Sequence, residues 1–159
     1  MNFAERRVLF RSLWVSAGCL VAMDGKKLIL VVDDNEVILK TLSMKLTGSG
    51  FSVATACDGS QALAAVRRAR PDLILLDIGF PPDVGHGGGV PWDGFRIIEW
   101  FKRMDELKNT PIIIITGGDA AKYRDKAIAA GAVDFFHKPI DNAELIAAIH
   151  KHIAIPVPG

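Results

Sequence analysis

Cysteine is scarce in this chain of 159 residues, which contains only two thiols. Neither Cys19 nor Cys57 has a cysteine or histidine partner at the short spacing that a structural zinc site requires. Two thiols are also too few for a disulfide framework. The cysteine content therefore argues against a zinc-stabilised or disulfide-rich fold, and it favours a reducing, cytoplasmic setting.

An excess of one charge is also missing. The chain has 19 Lys and Arg against 18 Asp and Glu, which gives a formal net charge of +1. Proteins that bind nucleic acid or anionic membranes usually carry a clear basic excess. We therefore expect no direct partnership with nucleic acid or membrane, and any function has to come from a local group of residues.

No apolar run is long enough to cross a membrane. The longest, residues 12–23, is shorter than the roughly 20 residues that a spanning helix needs. The arginines before it loosely imitate a secretory signal, but charge returns at once with Asp24, Lys26 and Lys27, so a cleavage site is hard to place. A signal peptide is therefore disfavoured.

What the chain does have is a regular alternation of short β-branched runs and longer amphipathic segments. Half of its residues are apolar, enough for the core of one domain. Runs covered by helices on both faces are apolar at nearly every position. This pattern predicts an α/β fold with a doubly wound, five-stranded parallel sheet. The predicted strands are residues 28–32, 51–55, 73–76, 112–115 and 133–136.

Capping signals support the predicted boundaries. Asp58 and Asp141 each precede a helical pattern and have Gln or Glu three residues later, as in a capping box. Gly50 and Gly131 stand where helices should end with a positive φ angle.

Polar residues follow four of the five predicted strands. Because ligands bind at the carboxyl ends of strands in open α/β sheets, we expect these side chains to meet at one edge. They are Asp33 and Asp34, Asp77, Thr116, and Lys138.

These residue types suit phosphoryl transfer to a carboxylate. Crowded carboxylates repel unless a cation lies between them, and hard oxygen ligands with room for water favour Mg²⁺. A lysine can neutralise a nearby anion, and a threonine hydroxyl can donate to one. Asp77, alone at the end of the central strand, is the predicted phosphoacceptor, while Asp33 and Asp34 form the metal-binding pair.

The ordered set of motifs resembles the receiver domain of two-component response regulators. The resemblance spans residues 26–152 and is strong because all the motifs occur in the family's order. The matching segments are Val31-Val32-Asp33-Asp34-Asn35, Leu75-Leu76-Asp77 with Pro81, Asp93-Gly94-Phe95, Ile115-Thr116-Gly117, and Lys138-Pro139.

The resemblance implies a strand order of 2-1-3-4-5 and a role for each matched position. Asp77 would accept phosphate from a histidine kinase or a histidine phosphotransfer protein and pass the signal to an unidentified effector protein. The implied Mg²⁺ ligands, which could also hold Mn²⁺, are Asp33, Asp34, Asp77 and the backbone carbonyl of Gly79. Thr116 and Lys138 would bind the phosphoryl group, and Phe135 occupies the aromatic switch position. The Lys138-Pro139 bond is expected to be cis.

The sequence departs from the family pattern inside and outside the domain. Removing residues 83–91 restores the usual spacing between Asp77 and the Asp-Gly pair, so we interpret these nine residues as an inserted loop. It either influences partner choice and water access or is a tolerated surface insertion. Residues 1–25 form an extension that is a short amphipathic helix, a tag or a misassigned start, and residues 153–159 form a tail.

The resemblance predicts a phosphoacceptor regulator and not an enzyme. Three other functions are alternatives to this prediction. A receiver-like module that is not phosphorylated would lack an acidic or lysine position, and none is lost here. A dehalogenase-like phosphatase needs a second aspartate where Gly79 stands. A nucleotide-binding flavodoxin-like protein is disfavoured because the first strand leads into carboxylates instead of a phosphate-binding glycine loop.

Overall fold

The structure is a computed structural model, and it describes residues 25–79 and 94–153. The predicted inserted loop at 83–91 lies outside the described residues. So do all but the last residue of the predicted extension and all but the first residue of the predicted tail.

The fold centres on one sheet of five parallel strands, in the order β2-β1-β3-β4-β5. The strands are β1 (Leu28–Val32), β2 (Ser52–Ala56), β3 (Leu73–Leu76), β4 (Ile112–Thr116) and β5 (Asp134–His137). Each adjacent pair is parallel and in a fixed register, for example Val32 beside Leu76. The predicted fold class and strand order are confirmed.

Within residues 25–79 and 94–153, five helices cover the sheet. They are α1 (Glu36–Gly48), α2 (Gly59–Arg68), α3 (Gly94–Arg103), α4 (Ala120–Ala129) and α5 (Asn142–His152). The buried residues of α1 and α5 pack on one face of the sheet. Those of α2, α3 and α4 pack on the other, as in a doubly wound domain.

Alternate residues of the inner strands feed the two apolar layers. In β1, Ile29 and Val31 point to the layer under α1 and α5, whereas Leu30 and Val32 point to the opposite layer. β1, β3 and β4 are buried at every position. Burial on both faces explains why these strands are uninterrupted apolar runs in the sequence.

The predicted N-cap aspartates and the predicted positive-φ glycines all lie at helix ends. The Asp58 side chain accepts from the N–H of Gln61, and the Asp141 side chain accepts from the N–H of Glu144. Gly50 and Gly131 have φ angles of 92° and 110°. In the Asp58 box, the Gln61 amide oxygen reaches the N–H of Cys57, one residue before the cap.

Two strands begin one residue later than the sequence pattern predicts. Phe51 is buried, but its N–H donates to the carbonyl of Leu46 and so completes the end of α1. Val133 is 40% exposed, and β5 starts at Asp134. Hydrophobicity alone does not separate a strand residue from a neighbour that packs beside the strand.

Within residues 25–79 and 94–153, no helix is both long and apolar enough to span a bilayer.

Candidate functional site

Four predicted site residues meet where the strands end. Asp33 follows β1, Asp77 follows β3, Thr116 is the last residue of β4, and Lys138 follows β5. Backbone hydrogen bonds continue the pairing past the strands: the Asp77 N–H donates to the Val32 carbonyl, and the Lys138 N–H donates to the Thr116 carbonyl. The sheet itself therefore sets the spacing of these side chains.

Three carboxylates form one cluster at this edge. Oxygen atoms of Asp33, Asp34 and Asp77 lie within 4.8 Å of one another. Asp33 and Asp77 are only 2% and 7% exposed, whereas Asp34 faces solvent. Close carboxylates repel in a poorly solvated site, and an exposed side leaves room for water on a bound ion. The donor set fits a hard divalent cation such as Mg²⁺.

Among the described residues, Lys138 is the cation that pairs with this cluster. Its Nζ lies 2.6 Å from Oδ2 of Asp33 and 3.1 Å from Oδ2 of Asp77. Burial works to lower the pKa of Lys138, but hydrogen bonds and charge attraction from Asp33 and Asp77 outweigh it and raise the pKa above its usual value. The ammonium is therefore charged at neutral pH and offsets one of the three carboxylates.

Backbone N–H groups orient the two buried carboxylates. Asn35 donates to Oδ1 of Asp33 at 2.9 Å, and Gly79 donates to Oδ1 of Asp77 at 2.8 Å. Each of these carboxylates thus has one oxygen on a backbone amide and the other on Lys138. A carboxylate has about four lone-pair directions. Asp77 therefore still has lone pairs with which it can bind a metal ion or attack a phosphorus atom.

Thr116 and Asp77 both lie beside Gly79. A Cβ atom added to Gly79 would lie 3.2 Å from Oδ1 of Asp77 and 3.3 Å from Oγ1 of Thr116. Thr116 is fully buried, and its Oγ1 accepts from the N–H of Gly118 at 3.2 Å. A hydroxyl that accepts one hydrogen bond can still donate its proton, so Thr116 can donate to a group attached to Asp77.

The segment after β3 is packed too tightly for a side chain at Gly94. A Cβ atom there would be 2.5 Å from Cα of Ile78. Because this contact is with backbone, α3 can begin here only with glycine unless the segment holding Asp77 moves. Gly94 belongs to the motif that carried the family resemblance, and the contact gives its physical reason.

The remaining predicted positions are accounted for as follows. Phe135 is buried in the layer under α2, α3 and α4, and the Lys138-Pro139 peptide is cis. Asn35 caps α1 by accepting from Val37 and Ile38, so Asp34 is left for the carboxylate cluster. Pro81 and Asp93 lie outside the described residues.

The sequence pattern gave no role to Tyr123, the single tyrosine of the chain. Its ring packs on Gly118, and a Cβ atom on that glycine would lie 2.8 Å from Cε2 of Tyr123. The sequence gives one signal for this contact. It is an aromatic residue seven positions after Thr116, on the helix that follows the two glycines.

Comparison with known proteins identifies a family. The model of the response regulator receiver domain matches residues 29–150. Response regulator PleD of Caulobacter vibrioides is 38% identical over 123 residues, which are 77% of this chain and 25% of PleD. The chain thus spans a quarter of PleD, and it spans 48% of the regulatory protein TcrX of Mycobacterium tuberculosis.

Some similar proteins are matched over nearly their whole length. Protein PilG of Pseudomonas aeruginosa is 31% identical over 130 residues, which are 82% of this chain and 89% of PilG. Among solved structures, the chemotaxis protein CheY4 of Vibrio cholerae has a TM-score of 0.70 and 28% identity, covering 80% of this chain and 99% of CheY4. The likeness thus extends to sequence as well as to fold.

Proposed function

The chain belongs to the response regulator receiver domain family, a family of phosphoacceptors in two-component signalling, and from this premise we propose that Asp77 is its phosphorylated residue. One observation carries the proposal: Asp77, directly after the central strand, lies within hydrogen-bond distance of Lys138 and close to two further carboxylates. Positioning and charge neutralisation are the main protein contributions to phosphoryl transfer.

In the proposed reaction, a carboxylate oxygen of Asp77 attacks the phosphorus of a phosphohistidine. The new O–P bond forms as the P–N bond breaks, and the departing imidazole nitrogen keeps the bonding pair and takes up a proton. Lys138 offsets charge on the phosphoryl oxygens, and the Thr116 hydroxyl donates to one of them. The donor is a histidine kinase or a histidine phosphotransfer protein.

Asp33, Asp34, Asp77 and the carbonyl of Gly79 are the proposed ligands of Mg²⁺. The bound ion would supply positive charge to the phosphoryl oxygens as they approach Asp77. A backbone amide already fixes one carboxylate oxygen of Asp33 and one of Asp77, which limits how far these two ligands can turn. Mn²⁺ has the same preference for oxygen ligands and is the expected substitute.

The proposed output is a change of surface. The hydrogen bond from Thr116 to the phosphoryl group draws the end of β4 towards Asp77. Phe135 lies on the neighbouring strand β5, two residues before His137, the residue paired with Thr116. Its side chain repacks in response. The face of α4, β5 and α5 then favours a different effector protein, as a shift between two conformers. In this proposal the module is a cytoplasmic regulator that promotes its own phosphorylation and dephosphorylation.

Acetyl phosphate with Mg²⁺ provides the test. Intact mass spectrometry should show one phosphate increment on the full chain. Asp77→Asn should abolish it, whereas Asp105→Asn, an exposed aspartate after α3, should keep it. Failure of the wild-type chain to gain phosphate would overturn the proposal and favour a module that binds partners without phosphorylation.

A further inference from the structure

Tyr123 occupies the space beside the glycine that follows Thr116. The atoms nearest to a Cβ built on Gly118 are Cε2 and Cδ2 of the Tyr123 ring, at 2.8 and 3.2 Å, and then Oγ1 of Thr116 at 3.5 Å. The ring therefore lies against the Gly118 backbone at a distance where only glycine fits. This contact joins α4 to the turn that leaves β4.

The turn itself holds the Thr116 hydroxyl. Its Oγ1 accepts from the N–H of Gly118 at 3.2 Å. Two consecutive glycines, Gly117 and Gly118, connect Thr116 to Asp119, the N-cap of α4. Glycine pairs have wide conformational freedom, and nothing lies within 4 Å of a Cβ built on Gly117. Support for the turn comes instead from the ring on Gly118.

The ring is anchored on its other sides. Tyr123 lies in the first turn of α4, and its N–H donates to the Asp119 carbonyl. Its ring centroid is 6.1 Å from that of Phe95 on α3, within the usual range of aromatic pairs. Lys126 lies 4.3 Å from the Phe95 centroid and packs over that ring. Two helices thus hold the side chain that presses on the turn.

We propose that Tyr123 is a positioning residue for Thr116: its ring holds the Gly118 turn, and that turn directs the Thr116 hydroxyl towards a phosphoryl group on Asp77. The inference rests on the proposed function of Asp77. It assigns the effect to the apolar ring edge and not to the phenol hydroxyl, because the contacting atoms are Cε2 and Cδ2.

The rate of phosphorylation by acetyl phosphate tests this role. Tyr123→Ala should lower the rate about fivefold, within the coupling usual for residues in contact. Tyr123→Phe should keep the wild-type rate because it retains the ring. Mg²⁺ affinity should be the same in all three proteins, since Tyr123 contacts none of the proposed ligands in the described structure.

A double-mutant cycle separates positioning from general destabilisation. If Tyr123 acts through Thr116, Tyr123→Ala should have no further effect on the rate in a Thr116→Ala background. Additive losses in the cycle, or an unchanged rate in Tyr123→Ala alone, would overturn the inference. A wild-type chain that takes no phosphate overturns the proposed function instead, so the two failures are distinguishable.

A second variant approaches the same contact from the other side. Gly118→Ala places a methyl group where the ring now lies, so the ring and the turn cannot both keep their positions. It should lower the rate in the same direction as Tyr123→Ala, and the backbone amide resonance at position 118 should shift as its bond to Thr116 is disturbed. A wild-type rate in folded Gly118→Ala would contradict the role of the turn.

Discussion

Asp34 differs from the two carboxylates beside it in how it is held. Asp33 and Asp77 are buried and share Lys138, whereas Asp34 is exposed and, in the part of the chain that the structure describes, makes no side-chain hydrogen bond or ion pair. Its oxygen still lies within the cluster. A carboxylate so placed adds repulsion to the metal-free protein and becomes favourable only when a cation arrives.

This contrast predicts how Mg²⁺ affects stability. At an Mg²⁺ concentration about 100 times the dissociation constant, the free energy of unfolding of the wild type should rise by about 2.7 kcal/mol. Asp34→Asn should lose most of that rise while keeping or slightly increasing the stability without metal. Urea unfolding with and without Mg²⁺ measures both quantities. Asp105→Asn, with its carboxylate 93% exposed, should behave as wild type, and a full Mg²⁺ effect in Asp34→Asn would show that Asp34 is not a ligand.

Cys57 lies beside the carboxylate of Asp58, and this neighbour makes the thiol harder to ionise. Partial burial, followed by the negative charge of Asp58 and its contact with the thiol, raises the pKa of Cys57 above its usual value. A thiol reacts through its thiolate, so this side chain should be protected from alkylation near neutral pH.

The protection is measurable with iodoacetamide at about pH 8, near the usual thiol pKa, in a Cys19→Ser background, which leaves one thiol. Labelling of Cys57 should be several times slower in the folded chain than in urea. Asp58→Asn should speed labelling of the folded chain because it removes the charge, while the amide oxygen still caps α2. Equal labelling rates with and without the Asp58→Asn substitution would show that the carboxylate has no part in the protection.

At the level of elements, one glycine ends α1 and a second lies just beyond its C-cap, and the two have different backbone conformations. Gly50 has a φ angle of 92°, and a Cβ atom there would meet nothing within 4 Å. Gly48 also has open space around it, but it is the last residue of α1 and has no positive φ. A methyl group added at either position would meet no steric clash. The two alanine variants should therefore differ in backbone strain, which arises at position 50.

Alanine at these two positions should change stability in opposite directions. Gly50→Ala should lower the free energy of unfolding by about 1 kcal/mol because alanine is strained at this φ angle. Gly48→Ala should raise it by about 0.5 kcal/mol because alanine reduces the freedom of the unfolded chain. Urea midpoints at constant slope provide the measurement. A stabilised Gly50→Ala would mean that the turn relaxes away from positive φ.

The strands and helices differ in how well the sequence predicts them and their contacts. β1 and β3 have the predicted bounds because strands buried on both faces are apolar throughout. The site residues converge because parallel strands bring their carboxyl ends to one edge. The contacts of Tyr123 with Gly118 and of Gly94 with Ile78 were not predictable, since they depend on how α3 and α4 sit on the sheet. Periodicity identifies a helix but does not fix its distance from a loop.

At the scale of the whole molecule, the two apolar layers share the same strands. β1, β3 and β4 contribute alternate residues to the layer under α1 and α5 and to the layer under α2, α3 and α4. A strand cannot leave one layer without removing its side chains from the other. The described part of the domain should therefore unfold as one cooperative unit.

Leu46 and Trp100 lie on opposite faces of the sheet, so they can be used to test whether the domain unfolds as one unit. Leu46, on the inner side of α1, is fully buried in one layer, and Trp100 packs against the other layer. With Trp14 and Trp92 changed to Phe, Trp100 fluorescence reports its own layer. Leu46→Ala should lower the free energy of unfolding by about 3 kcal/mol, and the urea midpoints from fluorescence and circular dichroism should fall together. Met44→Ala, on the same helix but 68% exposed, should change stability by less than about 0.5 kcal/mol. A fluorescence midpoint that stays in place while the dichroism midpoint falls would show that the two faces unfold separately.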